Sequence, residues 1–157
     1  MQRPTPLSAD DLPARLWRTR VPIRFSHCDP AGIVYTPVYF DLFNGVIEDW
    51  FADALGLPYR LFIRDRQTGL GYAHAACDFF LPNEMGDVLD VAVVVAEVGR
   101  SSYRLTLHAM KEGREVVRGH FVTVTTDIVA RKPCPIPEDL REALVAYHIT
   151  AGQGRGL

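Results

Sequence analysis

The sequence predicts an α+β protein in which an antiparallel sheet of five to six strands curls around one long central helix. Three observations carry this. A helix-like stretch from Thr36 to about Leu55 is apolar over most of its circumference. From Gly71 onward the hydrophobic period drops to two, in consecutive segments separated by short turns. A single strand-like segment precedes the helix, so the simplest packing wraps the later strands around it.

The first strand is expected over Leu16–Ser26, with Val21, Ile23 and Phe25 alternating against Arg20, Arg24 and Ser26. Pro22 cannot donate to a ladder, which points to an edge position. The helix is expected to start at Thr36, a good N-cap, with Pro37 at the first helical position, where a missing N–H costs nothing. Gly56-Leu57-Pro58 stops it. Tyr39, Phe40, Phe43, Val46, Ile47, Trp50, Phe51 and Ala54 form its wide apolar face, and Asp41, Asn44, Glu48 and Ala52 a narrow strip opposite.

A second short helix is expected over Tyr59–Arg66. Strands are expected over Tyr72–Leu81, closed by Pro82-Asn83, then over Val88–Val98, Ser101–Met110 and Glu115–Thr126. In the second of these, Leu89, Val91, Val93 and Val95 share one face. A basic, proline-punctuated loop follows over Asp127–Pro135, and then a helix over Pro137–Tyr147 with Leu140, Leu144 and Val145 as its stripe.

The 157 residues suit one domain, expected over 16–150, with a flexible leader over 1–15 and a flexible tail over 151–157. A net charge of −2 offers no global attraction for nucleic acid or an anionic membrane. No stretch is long and apolar enough for a bilayer, and the first residues lack the order of a signal peptide. Cys28, Cys77 and Cys134 are too widely spaced for a zinc site and odd in number, so reduced thiols in a cytoplasmic protein are expected. The histidines show no ligand spacing, and no metal is expected.

The chemistry concentrates in His27-Cys28-Asp29-Pro30-Ala31-Gly32-Ile33-Val34-Tyr35-Thr36-Pro37. Asp29 sits in a sharp turn between a strand and a helix start. A carboxylate and the first free N–H groups of a helix can converge there on one carbonyl, the minimum for acyl transfer. Taken alone, Asp-Pro is also ordinary turn chemistry. A Cys28/His27 nucleophilic pair is disfavoured, because neighbours on a strand face opposite ways.

The string from Cys28 to Phe40, CDPAGIVYTPVYF, together with the element order, resembles the 4-hydroxybenzoyl-CoA thioesterase family of hot dog-fold enzymes. The resemblance implies a hot dog fold, a homodimer joined edge to edge, commonly a dimer of dimers forming a homotetramer, and hydrolysis of acyl-CoA thioesters without a metal. Coenzyme A then enters as part of the substrate, and no separate cofactor is implied. The family's catalytic carboxylate falls on Asp29 and its helix-start backbone donor near Thr36. The phosphate-binding turn falls on Gly99-Arg100-Ser101-Ser102. Tyr35, Tyr39 and Asn44 are assigned to the acyl site. Phe79 and Phe80 are further candidates for contact with the acyl group, or else core residues.

An aroyl-CoA substrate is the reading implied, with Asp29 as nucleophile or general base. The alternatives are a short-chain aliphatic acyl-CoA or acyl-carrier-protein thioesterase, with Arg100, Arg131 and Lys132 facing a carrier protein, and a non-catalytic acyl-CoA-binding module.

Overall fold

The computed structural model describes residues 2–152. Strand β1 spans Arg18–Pro22 and helix α1 Val38–Asp53; strands β2 to β5 span Thr68–Phe79, Val88–Val98, Ser102–Lys111 and Arg114–Asp127. A two-residue β6, Lys132–Pro133, and helix α2, Glu138–Gly152, complete the chain. The sheet runs β1-β3-β4-β5-β2, antiparallel throughout, with β6 appended to the end of β5. This is the curled sheet and packed long helix expected from the sequence. No helix among the described residues is long and apolar enough to cross a membrane.

The core lies between α1 and the inner face of the sheet. Tyr39, Phe43, Val46, Ile47, Trp50 and Phe51 are buried on the helix, against Leu89, Val91, Val93 and Val95 of β3 and Leu105, Leu107 and Phe121 beyond. Each such side chain contributes about 2 kcal/mol of burial. Gly119 of β5 sets how closely α1 approaches: a Cβ there would lie 2.9 Å from the Phe43 ring and 2.7 Å from the Phe121 ring.

Several boundaries moved, each for a local reason. β1 stops at Pro22, and a 3-10 turn over Phe25–His27 follows. Phe25 therefore does not share the inward face of Ile23; it is 80% exposed. The helix begins at Val38 rather than Thr36, because Pro37 is the residue capping it. Gly56, with φ +67°, closes α1 as expected. The segment after it forms one π-helical turn, Leu61–Asp65.

Helix α2 runs five residues past Tyr147, to Gly152, because its last turns have a task. β1 pairs with β3 only as far as Ala92, which leaves the rest of that strand edge open. Tyr147 Oη donates to the Val93 carbonyl at 2.7 Å and accepts from the Trp17 N–H, and His148 Nδ1 donates to the Val95 carbonyl at 2.6 Å. The helix thus satisfies an edge that would otherwise pair with another chain.

The leader is not loose. Ala9 N–H donates to the Gly113 carbonyl, Ser8 bridges Arg114, and Leu7 exchanges hydrogen bonds with Glu115. Leu12 and Leu16 are buried with Ala92, Met110 and Ala151 on the outer face of the sheet. Of the expected tail over 151–157, Ala151 and Gly152 belong to the last turn of α2, and residues 153–157 lie outside the described residues.

Candidate active site

Asp29 is held by its own turn. Its N–H donates to the Ile33 carbonyl, its carbonyl accepts from Gly32 N–H, and Oδ1 accepts from Ala31 N–H at 2.8 Å. This is the Asx-turn chemistry expected of Asp-Pro, and Gly32 supplies the φ of +81° that closes it. Oδ2 has no hydrogen-bond partner among the described residues. One carboxylate oxygen thus serves the turn and the other makes no hydrogen bond among the described residues, on a half-buried residue.

The resemblance puts a backbone donor near Thr36, where most N–H groups of the helix start are already taken. Val38 N–H is used by the Tyr35 carbonyl at 2.9 Å, Tyr39 N–H by Thr36 at 3.3 Å, and Phe40 N–H by Pro37 at 3.2 Å. Pro37 has none. Thr36 N–H has no acceptor among the described residues, so it is an open donor at this end of the helix.

Thr36 lines an apolar cleft of about 220 Å³ together with Ile33, Val34, Tyr39 and the run Phe79-Phe80-Leu81-Pro82. Asp29 stands beside this cleft rather than in its wall, tied to it through Ile33. Tyr39 is buried, its ring 5.5 Å from that of Phe79. Its hydroxyl accepts from Asn83 Nδ2 at 2.6 Å, and Asn83, 1% exposed, also binds Val34 N–H through its carbonyl. Asn83 was read only as a strand terminator; it is the residue that fixes Tyr39 against the turn. Tyr35 is 55% exposed at the rim.

The other expected site residues lie elsewhere. Asn44 is exposed two turns along α1, its Oδ1 accepting from Tyr72 Oη at 2.7 Å. Gly99–Ser102 is the tight β3–β4 turn, closed by Gly99 N–H to the Ser102 carbonyl at 2.8 Å. It sits at the end of the sheet opposite Asp29, the length of the 11-residue β3 away, or roughly 35 Å. Within one protomer, Arg100, Ser101 and Ser102 are not brought to the cleft.

Cys28 and His27 do not form a pair. His27 Nδ1 accepts from Arg24 N–H at 2.9 Å, and Cys28 Sγ lies 3.6 Å from the Arg24 carbonyl. Burial pushes the Cys77 thiol up to about 12, far from a nucleophile's range. Among the described residues no group of three or more His, Cys, Asp or Glu side chains could hold a metal. A larger concavity, about 520 Å³, lies between Arg20, Asp87, Asp90 and Lys111. Its Lys111–Asp87 pair is already made at 2.8 Å.

The arrangement offers a free carboxylate oxygen, an open backbone donor and an apolar cleft within one turn of chain. Residues 23–144 match the family model of the thioesterase-like superfamily. A 1,4-dihydroxy-2-naphthoyl-CoA hydrolase from Synechococcus elongatus is 28% identical over 123 residues, covering 78% of this chain and 90% of the relative. A gentisyl-coenzyme A thioesterase structure superposes with a TM-score of 0.73 at 26% identity, over 80% of this chain and 99% of the other. The structure of a 1,4-dihydroxy-2-naphthoyl-CoA thioesterase from Synechocystis shares the fold, with a TM-score of 0.76 at 21% identity, over 82% and 94% of the two chains. All three relatives are named as thioester hydrolases, the wrapped helix agrees with their fold, and the chain belongs to the thioesterase-like superfamily of hot dog-fold proteins.

Proposed function

We propose that the protein hydrolyses an aroyl-CoA thioester to the free acid and coenzyme A, with the acyl ring in the cleft beside Thr36 and Tyr39. What supports this is that Asp29, whose Oδ2 has no partner among the described residues, stands next to an apolar, aromatic-walled cleft lined by Thr36, whose N–H likewise has no acceptor among them. The naphthoyl and gentisyl substrates in the relatives' names support an aromatic acyl group.

Two routes fit the geometry. Asp29 Oδ2 attacks the thioester carbonyl, the C–S bond breaks, coenzyme A leaves as thiolate, and water then hydrolyses the acyl anhydride. Alternatively, Asp29 takes a proton from water as the water attacks, and returns it to the departing thiolate. In both, negative charge develops on the carbonyl oxygen, and the Thr36 N–H with the helix dipole behind it stabilises that charge. One such donor lowers a barrier by about 3–4 kcal/mol.

The substrate's nucleotide end is assigned to Arg100, Ser101 and Ser102 of a second protomer. β2 is an edge strand with one free side. A homodimer pairing β2 with β2 antiparallel would lay each protomer's β3–β4 turn toward the other's Asp29 end. Leu81 in the cleft wall and Tyr35 beside Thr36, both exposed, would be covered by the same partner. A dimer of such dimers is the larger assembly proposed. Three free cysteines fit the reducing cytoplasm.

The test is free-thiol release from a panel of benzoyl-, hydroxybenzoyl-, acetyl- and hexanoyl-CoA, with sedimentation to give the oligomer. Preferential turnover of the aromatic esters is expected. Preference for the aliphatic esters would move the substrate class, and binding without thiol release would leave an acyl-CoA-binding module.

A further inference from the structure

The N-terminal segment crosses the back of the cleft wall, and a buried carboxylate ties it there. Glu115, whose side chain is fully buried, accepts from Leu7 N–H at 2.8 Å, from Arg118 Nε at 2.8 Å and, through its other contacts, from a second Arg118 nitrogen and His108. Arg118 also donates to the Thr5 carbonyl at 3.0 Å, and Glu115 N–H to the Leu7 carbonyl at 3.0 Å. Farther forward, Arg3 donates to the Phe79 carbonyl at 3.2 Å.

The same residues grip the wall itself. The Arg118 guanidinium lies 5.4 Å over the Phe80 ring. Phe80 and Leu81 both donate their N–H groups to the Val116 carbonyl, next in sequence to Glu115, at 2.9 and 3.2 Å. Pro6, Leu7 and Ser8 face Phe80 and Leu81 from behind. Phe80 and Leu81 therefore line both the cleft and a second concavity shared with Pro6, Leu7 and Ser8, and Phe79 shares a third with Arg3 and Pro4. This segment precedes residue 23, where the family match begins.

We propose that residues 3–9 act as a strap, locked by Glu115 and Arg118, which positions the Phe79–Leu81 wall and so sets the width of the acyl group accepted. This rests on the reading that the cleft receives the acyl group. Glu115 and Arg118 are positioning residues here, acting through Phe80 rather than touching the reacting atoms. A wall released from behind grips a narrow ring less well and admits a wider one, and fit of this kind is expressed in specificity more than in the chemical step.

The test compares kcat and KM for benzoyl-CoA and 2-naphthoyl-CoA in the wild type, in a variant lacking residues 2–8, and in Leu81→Ala, which alters the cleft wall directly. Circular dichroism and sedimentation check that each is folded and assembled. The strap account expects the deletion to shift the benzoyl-to-naphthoyl ratio of kcat/KM by about fivefold toward the wider ring, carried by KM, with kcat within about twofold. Leu81→Ala should shift the same ratio.

A ratio changed by Leu81→Ala but not by the deletion overturns the strap and leaves the cleft intact. A ratio changed by neither shows that the cleft is not the acyl site, and the proposal falls with that reading. An equal loss of kcat on both esters would mark the segment as structural support and also overturn the proposal. Should the deletion not fold, the Arg3→Ala/Glu115→Gln double variant is read by the same criteria.

Discussion

The approach of α1 to the sheet at Gly119 gives a sharp prediction, because the same substitution at a second glycine should act in the opposite direction. Adding a methyl group at Gly119 places a Cβ 2.7 Å from the Phe121 ring and 2.9 and 3.0 Å from two atoms of the Phe43 ring. Both rings are buried and meet edge to face with centroids 6.0 Å apart, so neither can swing clear. Overpacking of this kind costs about 1–3 kcal/mol. Removing glycine's unfolded-state freedom returns roughly 0.5–1 kcal/mol. At mid-range values, about 2 less about 0.75, Gly119→Ala should therefore lose about 1.25 kcal/mol net, lowering Tm by roughly 2.5–5 °C for a chain of this size. Gly45 lies in α1 with nothing within 4 Å of its would-be Cβ. Gly45→Ala should gain about 1 kcal/mol of helix propensity. Urea unfolding at fixed protein concentration reads both. A Gly119→Ala protein as stable as the wild type would refute the account of how α1 is seated.

The buried Glu115 network should make the protein sensitive to acid. Burial pushes His108 below its ordinary 6.5, outweighing the hydrogen bond to Glu115. The unfolded chain then binds the proton more readily, so stability should fall as pH drops through that ordinary value and level off only below the folded one. Burial acts to raise Glu115, but hydrogen bonds from Arg118, Leu7 and His108 outweigh it and hold the carboxyl below its ordinary 4.5. Its contribution is full above that value and is lost as pH falls through the folded one. Urea midpoints between pH 8 and 4 should decline in that order, and a flat profile in His108→Gln above pH 5 identifies the histidine's share. Tyr147→Phe leaves the Val93 carbonyl and Trp17 N–H without their shared partner and should cost about 1–3 kcal/mol in the same assay. Tyr39→Phe strands the buried Asn83 amide and should cost a similar amount, about 1–3 kcal/mol, with KM for benzoyl-CoA rising alongside.

Much of the fold was legible because the periodicity is strong where burial is one-sided. β3 was bounded at Val88 and Val98 from the alternation of Leu89, Val91, Val93 and Val95 alone. The wide apolar face of α1 announced a helix enclosed by a sheet. What failed was what depends on long-range partners. Nothing local says that Tyr147 and His148 will cap an open strand edge 53 or 54 residues away. Nothing in Pro4 to Leu12 says that a glutamate more than a hundred residues on will hold the leader down. Ile23 and Phe25 share a parity, yet the strand ends at Pro22, before both, and only the first stays inside.

The local geometry of the candidate site was legible in part. The turn at Asp29 was readable because Asp-Pro turn chemistry is local, and the helix start was placed to within two residues, with Pro37 rather than Thr36 capping it. The Phe79–Asn83 run escaped full assignment because its role comes from meeting Tyr39 and Val34 across the fold. Arg100, Ser101 and Ser102 were placed by resemblance. In one protomer they stand at the far end of the sheet, so their part depends on an assembly.

The central claim is that Asp29 carries the chemistry. Steady-state thiol release from benzoyl-CoA by Asp29→Asn, with wild-type circular dichroism and the wild-type oligomer verified, tests it most directly. The amide keeps an oxygen to accept from Ala31 N–H, so the turn should survive while the nucleophile or base is removed. The account predicts a fall in kcat of about 10²–10⁴ with little change in KM. Turnover within a few-fold of the wild type in a folded Asp29→Asn protein would contradict it.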